Sequence, residues 1–526
     1  MIKFDIRVPI GYTPEDIKRA TLSHIPISAD EFKDATILKR SLDLKDKRDI
    51  HYKITVALAL DADREAGLLK MRKKVFRAEE CSFTSPKSSL NSRPVVVGSG
   101  PCGLFAALTL AEGGARPIVL ERGFSVDERR EKVNLFRTLS ILDPECNVQF
   151  GEGGAGTYSD GKLKAGAADK YKMKVLREFV EAGADEEILY STTAHLGTDK
   201  LSGIVKKIRE KIISLGGEFI FSAKLTDIKI KDCLVEAAVY EKAGDVFEIP
   251  TDNIVLAIGH SARDSFKCLF ELGIPMEQKG FGIGVRIEHP REHINRLVYG
   301  SEAPSGIETA SYRLVTHLDS GRSVYSFCMC PGGEVVAAAS ENGGIVTNGM
   351  SEYARDAKNS NAAFLVSVTP ADFESDSVLA GFELQRKIER RAYQITGSYK
   401  APAITMRDFM NKSKPKGLGS VIPSYPIGVV PTATEEYLPN YITESLREAI
   451  PDFEAWMPGF YMDSAVLTGP ETRTTSPVRI LRDERYECPT VKGLYPAGEG
   501  AGYAGGIVSS AIDGIKCAEA LVLKVK

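Results

Sequence analysis

Residues 94–123 read PVVVGSGPCGLFAALTLAEGGARPIVLERG, and this stretch decides the fold class. The β-branched run Val95-Val96-Val97 leads straight into Gly98-Ser99-Gly100-Pro101-Cys102-Gly103. A helical stretch follows, then a second apolar run ending in Glu121 and Arg122. Each part has a physical task in holding a dinucleotide. Gly98 permits the tight turn, Gly100 lets backbone N–H groups approach a pyrophosphate, and Gly103 lets the helix pack on the strand. The helix N-terminus attracts phosphate charge. Glu121, about 20 residues on, is placed to accept hydrogen bonds from a ribose. Pro101, Cys102 and Arg122 fall within the same unit and are taken as cofactor-binding with it. Cys102, inside the helix, suits packing rather than chemistry.

Composition bounds the rest. A chain of 526 residues suggests two to four domains, and 43% hydrophobic with 26% charged residues is ordinary for a globular protein. A formal net charge of -3 gives no electrostatic reason to expect nucleic acid or an anionic membrane as partner. The sequence shows no membrane span or signal-peptide core, and its nine scattered cysteines fit a reducing compartment. The expected location is the cytoplasm. No metal-ligand spacing occurs.

The fingerprint does not begin the chain. Residues 3–10, 36–42, 50–60 and 71–76 read as strands, with helices opening at Thr13-Pro14-Glu15 and over 61–70. That β-α-β-β-α-β order predicts a ferredoxin-like α+β module over 1–80. The serine-rich segment 81–93 reads as a linker. After Glu121 the pattern gives amphipathic helices over 126–142 and 200–215 and a glycine-rich stretch over 150–166. A meander of short strands spans 218–249, and a buried-type strand spans 253–257. The second strong signal is C-terminal. Gly493-Leu-Tyr-Pro-Ala-Gly498-Glu499-Gly-Ala-Gly-Tyr-Ala-Gly505-Gly506-Ile507 precedes an apolar helix.

This C-terminal segment resembles the cofactor motif of the glutathione-reductase-like FAD superfamily. There a strand ends in Gly-Asp, whose carboxylate binds the ribityl chain, and the next helix points its N-terminus at the flavin. Here Glu499 stands where Asp is usual. Further runs resemble a family of uncharacterised bacterial FAD-dependent dehydrogenase-like proteins. They are QFGEGGAGTYSDGK (149–162), LAIGHSARD (256–264), GVRIEHP (284–290), FCMCPGG (327–333) and TGPETRTTSP (468–477). The resemblance implies an α/β protein with a Rossmann-type FAD-binding domain (94–265 and 476–526). An inserted α+β substrate domain (266–475) and the N-terminal module complete it. It implies FAD as cofactor and hydride transfer between flavin N5 and a small-molecule substrate. Gly498, Glu499, Gly505, Gly506 and Ile507 are the corresponding cofactor-binding residues.

Other candidates follow from chemistry. The 151–161 loop offers Gly153, Gly154, Thr157 and Ser159, whose N–H and hydroxyl groups suit a diphosphate; Lys162 adds a cation. Gly259 lies in the small-residue loop after the 253–257 strand, and His260 and Arg263 follow it as candidate catalytic residues, with a structural histidine the milder reading. His289 carries the same ambiguity. Arg473, flanked by hydroxyls, suits a carboxylate or phosphate, the alternative being a surface ion pair with Glu471. Cys328 and Cys330 are carried as catalytic candidates, although buried structural thiols are the favoured reading. Strand alternation puts both on one face, where a bridging disulfide is strained. A second nucleotide fingerprint is missing: Gly280-Phe-Gly-Ile-Gly284 runs into a strand rather than a helix. A nicotinamide donor, NADH or NADPH, would therefore dock transiently at the substrate opening. The competing expectations are an RNA-modifying flavoprotein and a non-catalytic flavin-bound redox sensor or scaffold.

Overall fold

The computed structural model describes residues 1–71, 74–78, 82–163, 169–301 and 303–524. Residues 72–73 of the expected 71–76 strand and residues 164–166 of the 150–166 stretch lie outside them.

The β-branched run at Val95–Val97 becomes a central strand because both its faces are covered. It lies at the middle of a five-stranded parallel sheet, ordered Leu494–Pro496, Ile254–Leu256, Val95–Val97, Ile118–Glu121, Glu218–Phe221. Such parallel strands read as continuous apolar runs. Two glycine contacts fix the turn that follows. Gly98 has φ +99°, and a Cβ on Gly103 would lie 1.8 Å from the Gly98 carbonyl oxygen. Gly103 therefore lets helix Pro101–Glu112 start directly above the strand. That helix packs against Ile507–Leu523, where a Cβ on Gly514 would lie 2.1 Å from the Cys102 carbonyl oxygen. The two segments with the strongest sequence signals thus touch.

A three-stranded antiparallel meander, Lys224–Lys231, Leu234–Lys242 and Asp245–Pro250, lies in sequence between the parallel-sheet strands Glu218–Phe221 and Ile254–Leu256. Helix Arg263–Glu271 crosses the expected 265/266 boundary. The chain instead passes between layers where Met276–Gln278 pairs with Val478–Ile480. The intervening chain builds a seven-stranded mixed sheet whose middle strands are Asn359–Val368, Phe281–Pro290 and Val466–Glu471. From Phe281 on, the Gly280–Gly284 run is part of the middle strand itself, not a lead-in to one. A Cβ on Gly284 would lie 2.0 Å from the Phe364 carbonyl oxygen, so the glycine permits close strand approach. Helices Ala380–Thr396 and Asn440–Trp456 contribute Ile388, Leu446 and Phe453 to the core of this sheet.

The N-terminal residues form a four-stranded antiparallel sheet ordered Ala35–Asp43, His51–Leu58, Ile2–Val8, Phe76–Arg77. Thr13 caps helix Pro14–His24 as its sequence suggests, with the Asp16 N–H donating to the Thr13 hydroxyl at 3.3 Å. The helix Ala62–Met71 runs on to where the last strand was expected to begin, and the strand is only Phe76–Arg77. Helix Lys170–Glu181, unanticipated from the sequence, starts at its cap Asp169. Among the described residues no helix is long and apolar enough to cross a membrane.

Candidate functional site

A cavity of about 810 Å³ opens at the carboxyl ends of the parallel strands and is closed on its other side by the seven-stranded sheet. Ligands of open α/β sheets bind at this end. Two helix N-termini meet it. Gly100 precedes Pro101–Glu112 and Gly506 precedes Ile507–Leu523, and both glycines line the cavity. The unpaired N–H groups of these first turns favour negative charge.

Glycines keep the floor free of side chains. Gly154, at φ +63°, lies so close to Gly100 that an added Cβ would be 3.0 Å from the Gly100 Cα. Cβ atoms on Gly259 or Gly505 would meet nothing within 4 Å, because both residues border open cavity. Gly98, Pro101, Cys102, Ser159 and Ile507 complete the nucleotide side. Residues Gly103, Gly153, Thr157 and Gly498 do not face the cavity, contrary to their expected cofactor contact. Gly103 serves helix–strand packing. A Cβ on Gly153 would lie 2.1 Å from the Thr157 hydroxyl, so these two pack on each other. Gly498 donates its N–H to Asp513 at 2.7 Å, beneath the cavity wall.

Glu121 lines the cavity, yet its carboxylate is filled by protein donors. It accepts from Ser99 N–H (2.9 Å) and Oγ (2.6 Å), and from Gly123 N–H (2.9 Å) and Gly151 N–H (3.0 Å). Four donors match the four lone-pair sites of a carboxylate. Its role here is to tie the fingerprint turn to the 150s loop rather than to wait for a ribose. Arg122 is similarly engaged. It pairs in a fork with Asp264 (2.8 Å to each oxygen), bonds Glu145 at 2.9 Å, and lies 4.0 Å over the Phe150 ring.

The catalytic candidates separate. His260 lines the cavity, with Nδ1 3.0 Å from the Ser261 hydroxyl. Burial and then the nearby Arg473 and Arg263 charges push its pKa down to about 4, so the imidazole is neutral at neutral pH. Arg263 does not reach the cavity. It and Arg473 clasp the same buried carboxylate, Glu389, from both sides, at 2.8–3.0 Å. Arg473 does border the cavity, but its ion pair is with Glu389, not Glu471. Glu471 pairs with Arg286 at 3.2 Å. Burial still raises the Glu471 pKa to about 7 against that charge, and burial raises Glu499 to about 7 as well. Both face the cavity as carboxyl groups that gain or lose a proton near neutrality. His289 does not line it and is buried, bonded by Nε2 to the Phe460 carbonyl at 2.8 Å, a structural setting.

Cys328 lines the cavity while Cys330 is fully buried and does not. Lys162 brings its ammonium to the same wall, 3.1 Å from Asp160, which Arg355 also holds at 2.9 Å. Sequence reasoning missed Glu389, Arg286 and the Ser311–Tyr312–Arg313 wall. Nothing in the local sequence separates Glu389 from the other acids of its amphipathic helix. Arg286, by contrast, sits alone as a cation in an apolar strand, a signal that was available.

A protein of Clostridium beijerinckii, named only as an uncharacterized protein, is 46% identical over 516 residues, covering 97% of this chain and 96% of that one. The chain belongs to the family of that protein. Residues 280–474 of this family member match the profile "FAD-dependent protein, C-terminal domain-like". That span holds Arg286, Cys328, Glu389 and Arg473. Among solved structures, flavin-dependent brominase Bmp2 covers 82% of this chain and 79% of its own at 11% identity and a TM-score of 0.37. A glycerol-3-phosphate dehydrogenase from Bacillus halodurans, complexed with FAD, covers 83% and 66% at 10% identity and a TM-score of 0.35.

Proposed function

We propose that this chain is an FAD-dependent oxidoreductase acting on a small molecule held between the parallel sheet and the seven-stranded sheet. One observation carries the reading: two helix N-termini from distant segments, after Gly100 and Gly506, meet at one glycine-floored cavity. The match of residues 280–474 to an FAD-dependent family supports it. FAD supplies two-electron hydride chemistry when bound. The chain's own residues do the rest. The turn after Gly100 would hold the pyrophosphate through N–H groups, Gly154 and Gly259 leave room for the cofactor, and Glu499 would take the ribityl chain as the carboxylate that the C-terminal motif places there. The N-terminus after Gly506 faces charge that grows on reduction. Neutral His260, just after the Ile254–Leu256 strand, and the carboxyl of Glu471 on the opposite wall hold or move a proton at the substrate. The single fingerprint favours a nicotinamide donor that visits and leaves.

The test is direct. Purified protein should carry visible flavin absorbance or bind FAD on titration, and NADH or NADPH should bleach it anaerobically. Protein without flavin colour that also takes up no FAD would overturn the reading.

A further inference from the structure

The strand Ser323–Cys330 is regular until Phe327, which pairs with Ala363; the next pairing is Cys330 with Asn361. One extra residue is therefore inserted at Cys328-Met329, a β-bulge. Cys328 adopts φ +38°, a left-handed conformation that a residue with a Cβ rarely takes. Such strain persists where the surroundings enforce it, commonly at functional sites. Its effect here is to break alternation. Cys328 and Met329 both reach the cavity, and Cys330 lies behind them in the core.

Arg286 holds this arrangement from below. Its Nη2 donates to the Cys328 carbonyl at 2.8 Å and contacts the Cys330 sulfur at 3.5 Å, while the Cys330 thiol donates to the same carbonyl at 3.3 Å. The Cys330 thiol thus lies against the Cys328 backbone, and hydrogen bonding from Cys330 is the largest influence drawing Cys328 below the ordinary thiol range. The Lys162 and Arg286 charges add to it, against burial and Asp160. Cys330 moves the opposite way and keeps its proton. Glu471 and Glu499 face the pair from the other walls. Cys102, the other cavity cysteine, is pushed up by burial and Asp513 and stays inert.

We propose that Cys328 and Cys330 form a redox-active dithiol on the cavity wall, with small disulfides as its substrate class. The Cys328 thiolate attacks one sulfur of the substrate, breaks its S–S bond and expels one thiolate, leaving a mixed disulfide. Cys330 gives up its proton and attacks the Cys328 sulfur, expelling the second thiolate and closing a Cys328–Cys330 disulfide. Two electrons pass from the pair to the substrate, and the expelled thiolates take up the two thiol protons. Return to the dithiol takes two electrons and two protons by way of reduced FAD in the same cavity. That return step alone rests on the FAD reading; the exchange does not.

The experiment uses the full chain carrying Cys233→Ser, which removes an exposed thiol, under anaerobic conditions with a pyridyl disulfide as probe. Two pyridinethiones should be released per chain in the fast phase, and the peptide spanning residues 328–330 should lose two hydrogen masses. Cys330→Ser should release one and retain a pyridyl adduct on Cys328, and Cys328→Ser should abolish the fast phase. Peptide mapping of the parent chain needs no further variant to fold. A fast phase mapped to other cysteines with Cys328 unmodified overturns the proposal, as does an unchanged two-thiol stoichiometry in Cys330→Ser. In a second arm, the disulfide form is mixed with photoreduced flavin. Exchange without flavin bleaching would refute the FAD coupling and leave the dithiol standing. Flavin binding and reduction without exchange would refute the dithiol and leave the FAD reading standing.

Discussion

Glu389 is gripped by Arg263 and Arg473 with bonds of 2.8–3.0 Å and also accepts from the Thr472 hydroxyl at 2.7 Å. The arginine charges hold its carboxyl far below the usual range although burial opposes them. Removing one partner of such a buried cluster typically costs about 3–5 kcal/mol, so Glu389→Gln should lower stability by that order at pH 7. The sign follows from linkage: a depressed acid contributes stability above its unfolded pKa of about 4.3 and loses it as pH falls through the folded value. Urea midpoints of parent and variant should therefore begin to converge only as pH falls below about 4. His260, held down to about 4 from 6.5 by burial and the same two arginines, acts in the same direction at higher pH. Between those values the unfolded chain binds a proton that the folded chain refuses, so stability falls as pH falls. His260→Gln should flatten the stability–pH slope by about one proton across that window, read by urea titration at several pH values. Both arginines were legible in the sequence as cations near cofactor segments. Their shared partner was not, because a carboxylate on a distant helix gives no local sign of what it will meet.

At the scale of elements, the glycine fingerprint was readable because its spacing encodes a contact: Gly98 and Gly103 leave no room for a Cβ. Gly514 encodes a second contact that its helix pattern conceals. Replacing it with valine would drive atoms into the Cys102 carbonyl and push Pro101–Glu112 away from Ile507–Leu523. Overpacking of this kind costs about 1–3 kcal/mol. The two helix N-termini would also lose their common aim, so Gly514→Val should lower both Tm and the flavin-to-protein absorbance ratio. An unchanged ratio would mean that the helices do not jointly hold the cofactor. The Cys328 bulge shows the opposite case. Alternation placed both thiols alike, but an inserted residue leaves only Cys328 on the cavity with Cys330 behind it, and insertions depend on a partner strand that the local sequence does not contain.

At the scale of the whole molecule, the N-terminal sheet is joined to the rest by a few concentrated contacts. Arg40 lies 4.8 Å over the Tyr52 ring of its own sheet and 5.7 Å over Tyr190 across the boundary, and it pairs with Glu187. Its backbone continues the join: Arg40 N–H donates to the Tyr190 carbonyl at 2.7 Å, and Thr192 N–H donates back at 3.0 Å. Lys47 reaches the Leu297 carbonyl at 2.8 Å, and Ile50 enters the core of the seven-stranded sheet. The strand order of the module was visible from its own alternation, whereas its seat was not, since one arginine among many on a half-exposed strand carries no mark of docking. Arg40→Ala removes the guanidinium from two rings and a carboxylate but spares the backbone bonds. A partly desolvated cation–π contact is worth about 2 kcal/mol, enough to loosen the join without unfolding the sheet, whose own core of Phe4, Ile54 and Val56 is untouched. Calorimetry should then show an earlier, separate transition for the module in Arg40→Ala, while the flavin site melts as in the parent. Identical melting of parent and variant would show that the backbone bridge, Lys47 and the apolar contacts around Ile50 hold the module in place without the Arg40 side chain.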